Sequence, residues 1–185
     1  MNNSNHSNIL IIGGGCAGIS VATRLKSLKS DLTISIIEPS EKSLYQAAWT
    51  LVGAGAYDVN STIKPMSSVM PSFVNWIKEY AESFAPESNS VKTSSGEYSY
   101  DYLVVCPGLK LNFDGVAGLK ESLGKNNVCT NYSADMAVYT WECLKNLSGG
   151  NLLFTEPPMP IKCAGAPQKI AYLAADHLKK KGALK

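Results

Sequence analysis

Hydrophobic residues near the start of the chain form two strand-like runs separated by a helical repeat. The run at residues 8–12 is short, apolar and rich in isoleucine, which predicts a strand buried on both faces of a parallel sheet. Ile19, Ala22 and Leu25 then recur at helical spacing, and a second apolar run covers residues 33–37. The order strand, helix, strand predicts an α/β fold with a parallel sheet.

The middle of the chain adds further strand signals. Residues 74–77 are strand-like, and two short runs at 91–93 and 98–100 flank a Ser-Ser-Gly turn. Residues 101–106 form another apolar run, closed by Pro107 and Gly108. We expect strands near Ile9, Ile34 and Val104 to build the parallel sheet, with small antiparallel strands between residues 74 and 100.

The last third contains two helical patterns around a glycine-rich break. Residues 134–147 predict one helix, and residues 166–181 predict another, with Pro167 suited to its first turn and Gly182 to its end. The apolar run at 151–154 predicts a fourth buried strand that begins a second layer. We place a domain boundary near residues 148–150. This gives a disordered lead-in at 1–8, a first domain at 9–148 and the start of a second, truncated domain at 149–185.

The strongest motif follows the first strand. It has the spacing G-x-G-x-x-G, comprises Gly13-Gly14-Gly15-Cys16-Ala17-Gly18, and lies at the start of the first predicted helix. An acidic residue, Glu38, follows at the end of the second predicted strand. Such glycines allow a tight turn, close approach of backbone N–H groups to a pyrophosphate, and close packing of helix on strand. Glu38 can accept hydrogen bonds from ribose hydroxyls and would repel a 2′-phosphate. The context predicts a dinucleotide site, but it does not distinguish FAD from NAD.

Composition and charge exclude several other classes. The formal net charge of the 185 residues is +2, and Arg24 is the sole arginine, so nucleic-acid binding has no support. The hydrophobic fraction of 45% fits a globular core, and the longest apolar runs are too short to span a bilayer. Lysines cluster in residues 162–185. A solvated helix end or an anionic-membrane patch would each explain that cluster.

The five cysteines suggest thiol chemistry rather than a disulfide or zinc framework. Their number is odd and no two of them form a CxxC pair. The five are Cys16, Cys106, Cys129, Cys143 and Cys163. Cys163 lies just before the predicted last helix and beside Lys162, and both features stabilise a thiolate. It is therefore a candidate nucleophile. From these local features alone, a buried structural thiol stays equally open.

The segment from Ile161 to Lys169, with the sequence IKCAGAPQK, resembles the redox-cysteine segment of the sulfide:quinone oxidoreductases. Further matches to the mitochondrial-type branch of that family are Glu38-Pro39-Ser40, Tyr45-Gln46, residues 49–56 and Asn131-Tyr132-Ser133. The resemblance extends over nearly the whole chain, from about residue 8 to 181. It implies a Rossmann-like FAD-binding domain, followed by the start of a second domain of the same kind.

The resemblance also implies roles for individual residues. The FAD site would comprise backbone and side-chain groups of these residues: Gly13, Gly14, Gly15, Cys16, Ala17, Gly18, Glu38, Pro39, Gln46, Ala81, Pro107 and Gly108. Cys163 matches one of two redox cysteines, and Cys129 loosely matches a third cysteine of some bacterial members. No metal is implied. Cys106-Pro107-Gly108 stands where the family has Ala-Thr-Gly at the same turn.

In that family, sulfide attacks a cysteine sulfur and leaves a persulfide, and two electrons pass through FAD to quinone. The implied partners are sulfide, a quinone and a sulfane-sulfur acceptor. A homodimer is compatible with the family, as is peripheral membrane contact through C-terminal elements. The implied location is the cytoplasmic face of a bacterial membrane or the mitochondrial inner membrane. Family members are roughly twice this long or more, so we interpret the chain as the N-terminal part of such an enzyme and expect it to be inactive alone.

Three alternatives stay open at this point. A type II NADH dehydrogenase should carry a second G-x-G-x-x-G after Phe154, and a disulfide reductase should carry a CxxxxC pair between Glu38 and Tyr57. The sequence has neither feature. A non-catalytic remnant that binds a dinucleotide is the third alternative.

Overall fold

The structure, a computed structural model, describes residues 5–184. These residues divide into two compact units. The first comprises the chain up to Leu44 together with Ile63–Lys110, and the second comprises Tyr45–Thr62 together with the chain from Leu111 onward. Both units are therefore discontinuous along the chain.

Strands belong to the first unit, and most helices belong to the second. Within the described residues the strands are β1 (His6–Ile12), β2 (Ile34–Ile37), β3 (Lys42–Leu44), β4 (Ile63–Pro65), β5 (Val74–Ile77), β6 (Ser83–Ala85), β7 (Ser90–Lys92) and β8 (Glu97–Val105). The α-helices are α1 (Cys16–Leu28) in the first unit, and α2 (Trp49–Gly53), α3 (Leu119–Ser122), α4 (Ala134–Asn146) and α5 (Ala166–Lys180) in the second.

The main sheet of the first unit has the order β5-β2-β1-β8-β7-β6. The pairs β5–β2, β2–β1 and β1–β8 are parallel, whereas β7 pairs antiparallel with both β8 and β6. Strands β3 and β4 form a separate antiparallel pair. The predicted α/β fold with a parallel sheet is thus confirmed, and the strands expected near Ile9, Ile34 and Val104 are the adjacent parallel strands β1, β2 and β8.

The core of the first unit lies on both faces of the central strand β1. Leu10 and Ile12 belong to one buried cluster, while Ile9 and Ile11 belong to another that includes Ala22 of α1. Successive side chains of a strand point to opposite faces, so a run of four apolar residues fills both clusters. The continuous apolar run in the sequence is the signature of this doubly covered position.

The second unit is built on contacts between helices. Trp49 and Val52 of α2 pack on Ala137 of α4. Leu144 of α4 packs on Ile170 and Ala174 of α5. At the end of α5, Gly182 has φ 71°. Its N–H donates to the Lys179 carbonyl, and the Ala183 N–H donates to the Leu178 carbonyl. This pair of bonds is a Schellman motif and agrees with the expected glycine at the helix end.

Two predicted strands differ from the structure. Residues 151–154 form no strand, and Leu153 is 85% exposed, because a strand needs a neighbour for its backbone groups and the described residues offer none at this position. The predicted strand at residues 151–154 is therefore wrong for the described residues. Residues 74–77 do form a strand, but it pairs parallel with β2 and extends the main sheet instead of joining the antiparallel part.

The predicted boundaries also differ. Strand β1 begins at His6, so residues 6–8 belong to the sheet, while residues 1–4 of the predicted lead-in lie outside the described residues. The compact units do not separate at 148–150, because α5 shares a buried cluster with α4. The Lys181 ammonium adds to this connection by donating to the carbonyls of Lys145 and Leu147, each at 2.8 Å.

Candidate functional site

The glycine loop is the turn between β1 and α1. Gly13 has φ 101°, and its N–H donates to the Ile37 carbonyl at 2.9 Å. A Cβ on Gly13 would overlap the carbonyl oxygen of Cys106, and a Cβ on Gly18 would overlap the carbonyl oxygen of Gly13. Both positions therefore require glycine for packing within the first unit, independently of any ligand.

Gly15 differs from its neighbours because it faces open space. A Cβ built on Gly15 would meet nothing within 4 Å, and residues 15–17 are exposed. Helix α1 begins here with no side-chain cap and no acidic residue in its first turn. Its N-terminal N–H groups and positive dipole end are thus available to an anion such as a pyrophosphate.

Glu38 is held beside this loop by its own backbone contacts. Its carboxylate accepts hydrogen bonds from the N–H groups of Gly14 at 2.8 Å and Ser40 at 2.7 Å. The Glu38 side chain also occupies the space beside Gly14, since a Cβ there would lie 2.8 Å from its Cβ and Cγ. A carboxylate has about four acceptor positions, so two stay available for ribose hydroxyls.

Strand β8 supplies the other edge of the site. Cys106 N–H donates to the Ile12 carbonyl at 2.8 Å, and the exposed Pro107 and Gly108 follow it. The chain passes from β1 to β2 and β5 on one side, then returns to β8 on the other, so the strand order reverses at β1. Ligands of such sheets bind outside the carboxyl ends of the strands at this switch point. Burial raises the pKa of the Cys106 thiol, whose Sγ lies 3.8 Å from the Gly13 carbonyl oxygen.

The remaining expected site residues are distributed over both units. Pro39 is half-buried directly after Glu38, and Ala81 packs on the core cluster that includes Leu10 and Ile12. Gln46 lies in a 3₁₀ turn of the second unit, which also contains Cys163. The structure therefore brings together the glycine loop, Glu38 and residues 106–108 at one end of the sheet.

Cys163 is exposed and has a left-handed backbone, with φ 59°. Its carbonyl accepts from the Ala166 N–H at 2.9 Å, which fixes it three residues before the start of α5. The Tyr132 hydroxyl donates to the Lys162 carbonyl at 2.9 Å and lies 3.4 Å from the Cys163 carbonyl oxygen. The thiol thus lies on a loop tied at both sides, and it is open to a small reactant.

Cys129 has the opposite character. Burial raises the pKa of Cys129 to about 12, assisted by a hydrogen bond and charge repulsion with Cys143. A thiol with this pKa is protonated at neutral pH and is therefore a poor nucleophile. This environment gives no support to the loose match of Cys129 to a third redox cysteine.

Several contacts at these sites have no individual signal in the sequence. The Trp76 indole donates to the Glu38 carbonyl at 2.7 Å, and the Met70 methyl lies 3.1 Å from the position of a Cβ on Gly14. The sequence indicates Tyr132 only as part of the Asn131-Tyr132-Ser133 match and gives it no role of its own. Pairing across 31 residues between Tyr132 and Cys163 is decided by the tertiary fold.

Comparison with known proteins gives three close similarities. Mitochondrial sulfide:quinone oxidoreductases are 42% identical over 179 residues in Mus musculus and 47% identical over 181 residues in Dictyostelium discoideum. Each alignment covers 96% of this chain and 40% of the relative. The crystal structure of the sulfide:quinone oxidoreductase from Aquifex aeolicus superposes with a TM-score of 0.72 at 29% identity, covering 97% of this chain and 41% of that chain.

A more distant similarity concerns one of the alternative enzyme classes. The type II NADH:quinone oxidoreductase of Staphylococcus aureus is 28% identical over 117 residues, covering 61% of this chain and 29% of the relative. The similarity therefore covers less of both chains than that of the sulfide:quinone oxidoreductases. No helix within residues 5–184 combines the length and apolar character that crossing a bilayer requires.

A family model described as pyridine nucleotide-disulphide oxidoreductase matches residues 7–137. The match covers the main sheet, the glycine loop, Glu38 and residues 106–108, which are the parts that form the candidate site. The chain belongs to the pyridine nucleotide-disulphide oxidoreductase family.

Proposed function

We propose that this chain is the N-terminal part of an FAD-dependent sulfide:quinone oxidoreductase, in which Cys163 carries sulfane sulfur. The observation that carries the proposal is the exposed Cys163 thiol, on a tied loop before α5, in a chain that also has an open dinucleotide loop. The chain spans 40% of the length of the curated relatives named above, so the activity belongs to the complete protein.

FAD is the dinucleotide that fits the first unit. The open space at Gly15 and the uncapped start of α1 suit a pyrophosphate, and the Glu38 carboxylate suits an unphosphorylated ribose. Residues 106–108 would flank the cofactor at the switch point. When bound there, FAD would supply an acceptor for two electrons between the sulfur chemistry and quinone.

Cys163 would exchange sulfur by thiol–disulfide chemistry. Hydrosulfide attacks the Cys163 sulfur within a disulfide, a new S–S bond forms, and the bond to the second cysteine breaks to release its thiolate. Cys163 then bears a persulfide, so the sulfide sulfur has been oxidised and the disulfide reduced by two electrons. We infer that the second cysteine comes from a part of the protein not included in this chain, because Cys129 is held protonated and hydrogen-bonded to Cys143.

Quinone and the sulfane-sulfur acceptor are the remaining proposed partners. Quinones dissolve in the bilayer, so the complete protein would work at a membrane surface. The bacterial cytoplasmic face and the mitochondrial inner membrane are the two proposed locations. A homodimer is part of the same proposal.

The test uses the complete protein purified in wild-type form and as Cys163→Ser. We expect the wild type to show a bound-flavin spectrum and sulfide-dependent quinone reduction, and the variant to keep its flavin but lose that activity. Cys143→Ser, a half-buried thiol of the same unit, is the matched control and should stay active. Wild-type turnover in Cys163→Ser would refute the role of the thiol. Quinone reduction driven by NADH and not by sulfide would instead support the type II dehydrogenase alternative.

A further inference from the structure

The backbone at Cys163 has an unusual conformation that something must hold. Its φ of 59° lies in the left-handed region, which residues with a side chain adopt at an energetic cost. The hydrogen bond from Ala166 N–H to the Cys163 carbonyl fixes the C-terminal side of this residue. A second contact is needed on the N-terminal side, because residues 151–161 form no regular secondary structure.

Tyr132 supplies that second contact. Its hydroxyl donates to the Lys162 carbonyl at 2.9 Å, and the Cys163 carbonyl oxygen is 3.4 Å away. The hydroxyl therefore spans the peptide group that leads into the left-handed residue. Since the bond reaches backbone atoms, the Cys163 thiol itself is left exposed.

The residues on each side of Tyr132 fix its position. Asn131 packs so closely on α2 that a Cβ on Gly53 would overlap the Asn131 amide oxygen. The Ser133 side chain caps α4 by accepting from the Met136 N–H at 3.4 Å. Each residue of the Asn131-Tyr132-Ser133 motif thus has a separate contact, and the two outer ones direct the tyrosine toward the cysteine loop.

We propose that Tyr132 is a positioning residue for Cys163, holding the thiol-bearing loop in its left-handed conformation through the Lys162 carbonyl. The proposal rests on the proposed function of Cys163. The neutral phenol is the form that works, because a phenolate has no proton to donate. Burial raises the pKa of the Tyr132 hydroxyl, and the negative charges of Cys163 and Glu156 raise it further. The hydroxyl therefore stays protonated at neutral pH and can donate to the Lys162 carbonyl.

The kinetic test compares Tyr132→Phe with wild type in the complete protein. Loss of one hydroxyl bond to the backbone should lower kcat for sulfide-dependent quinone reduction about fivefold, with KM for quinone and flavin content unchanged. Tyr139→Phe is the matched control, because its hydroxyl also forms a hydrogen bond with the backbone, accepting from the Asn127 N–H at 3.2 Å, on a loop that does not hold Cys163. A kcat for Tyr132→Phe equal to that of the control would overturn the proposal.

A second test needs no activity, so it separates this proposal from the proposed function. Tyrosinate absorbance after a rapid pH jump is measured for wild type and Tyr132→Phe, and their difference gives the titration of Tyr132. The same difference is taken in a Cys163→Ser background. Because the thiolate raises the Tyr132 pKa, we expect Tyr132 to titrate at lower pH when Cys163 is serine. Identical midpoints in the two backgrounds would show that the groups are not coupled and would overturn the proposal.

Discussion

The two units maintain their candidate sites by different means. In the first unit, the glycine loop is fixed by backbone packing so close that a single methyl group on Gly13 or Gly18 would overlap a carbonyl oxygen. In the second unit, the Cys163 loop is held by hydrogen bonds from Tyr132 and Ala166, with open space around the thiol. A substitution in the glycine loop would therefore create a steric overlap, whereas a substitution at the Cys163 loop would remove a single hydrogen bond. Substitutions should therefore have larger effects on stability in the first unit than in the second.

Gly18→Ala should have the largest effect on stability. The added Cβ would overlap the Gly13 carbonyl oxygen, and neither backbone segment can move without disturbing the sheet. We expect the free energy of unfolding to fall by about 3 kcal/mol or more, measured by urea denaturation. Gly15→Ala is the control, because its Cβ would enter open space and should cost less than about 1 kcal/mol. Equal losses in both variants would contradict the contrast within the loop.

Gly15→Val should separate binding from folding in the same loop. Its branched side chain would fill the open space where we expect the pyrophosphate, while the backbone φ of −75° accepts any residue. Affinity for FAD should fall about a hundredfold, equivalent to about 2.8 kcal/mol, measured as flavin per protein after dialysis against FAD. Full flavin occupancy in this variant of the complete protein would show that the loop does not hold the cofactor.

Glu38→Gln should have a smaller effect on the first unit. The amide keeps one oxygen acceptor and loses the charge, so one of the two hydrogen bonds from Gly14 and Ser40 is lost and the other weakens. We expect the free energy of unfolding to fall by about 1–2 kcal/mol in thermal or urea denaturation. The exposed Glu87 of the same unit provides the control Glu87→Gln, which should change stability by less than about 0.5 kcal/mol.

Ser133→Ala should have the smallest effect and belongs to the second unit. It removes the hydroxyl that accepts from Met136 N–H at the start of α4. Loss of an N-cap costs about 1 kcal/mol, which urea denaturation can resolve. Ser148→Ala, an exposed position beyond the end of α4, is the control. If Ser133→Ala lowered the free energy of unfolding as much as Gly18→Ala, the expected contrast in stability effects between the two units would be contradicted.

The sequence by itself determined the parallel sheet, the glycine loop and the acidic residue after β2. These features depend on local patterns: a doubly buried strand must be apolar throughout, a tight strand-to-helix turn must contain glycine, and the period of apolar residues distinguishes helix from strand. The bounds of α4 and α5 agree with the expected helices to within one residue. The Schellman motif at Gly182 was equally predictable, because left-handed backbone at a helix end favours glycine.

Only the tertiary structure decided which distant segments meet. Residues 151–154 have the composition of a strand, but a strand exists only where a neighbour pairs with it, and composition carries no information on neighbours. The apolar face of α5 does not specify that α4 covers it, and only the structure shows that the two helices share one compact unit across residues 148–150. The Tyr132–Lys162 bond joins residues 30 apart, and local periodicity cannot encode such a contact. The fold supplies it because Asn131 and Ser133 are fixed on α2 and α4, which leaves Tyr132 directed toward the cysteine loop.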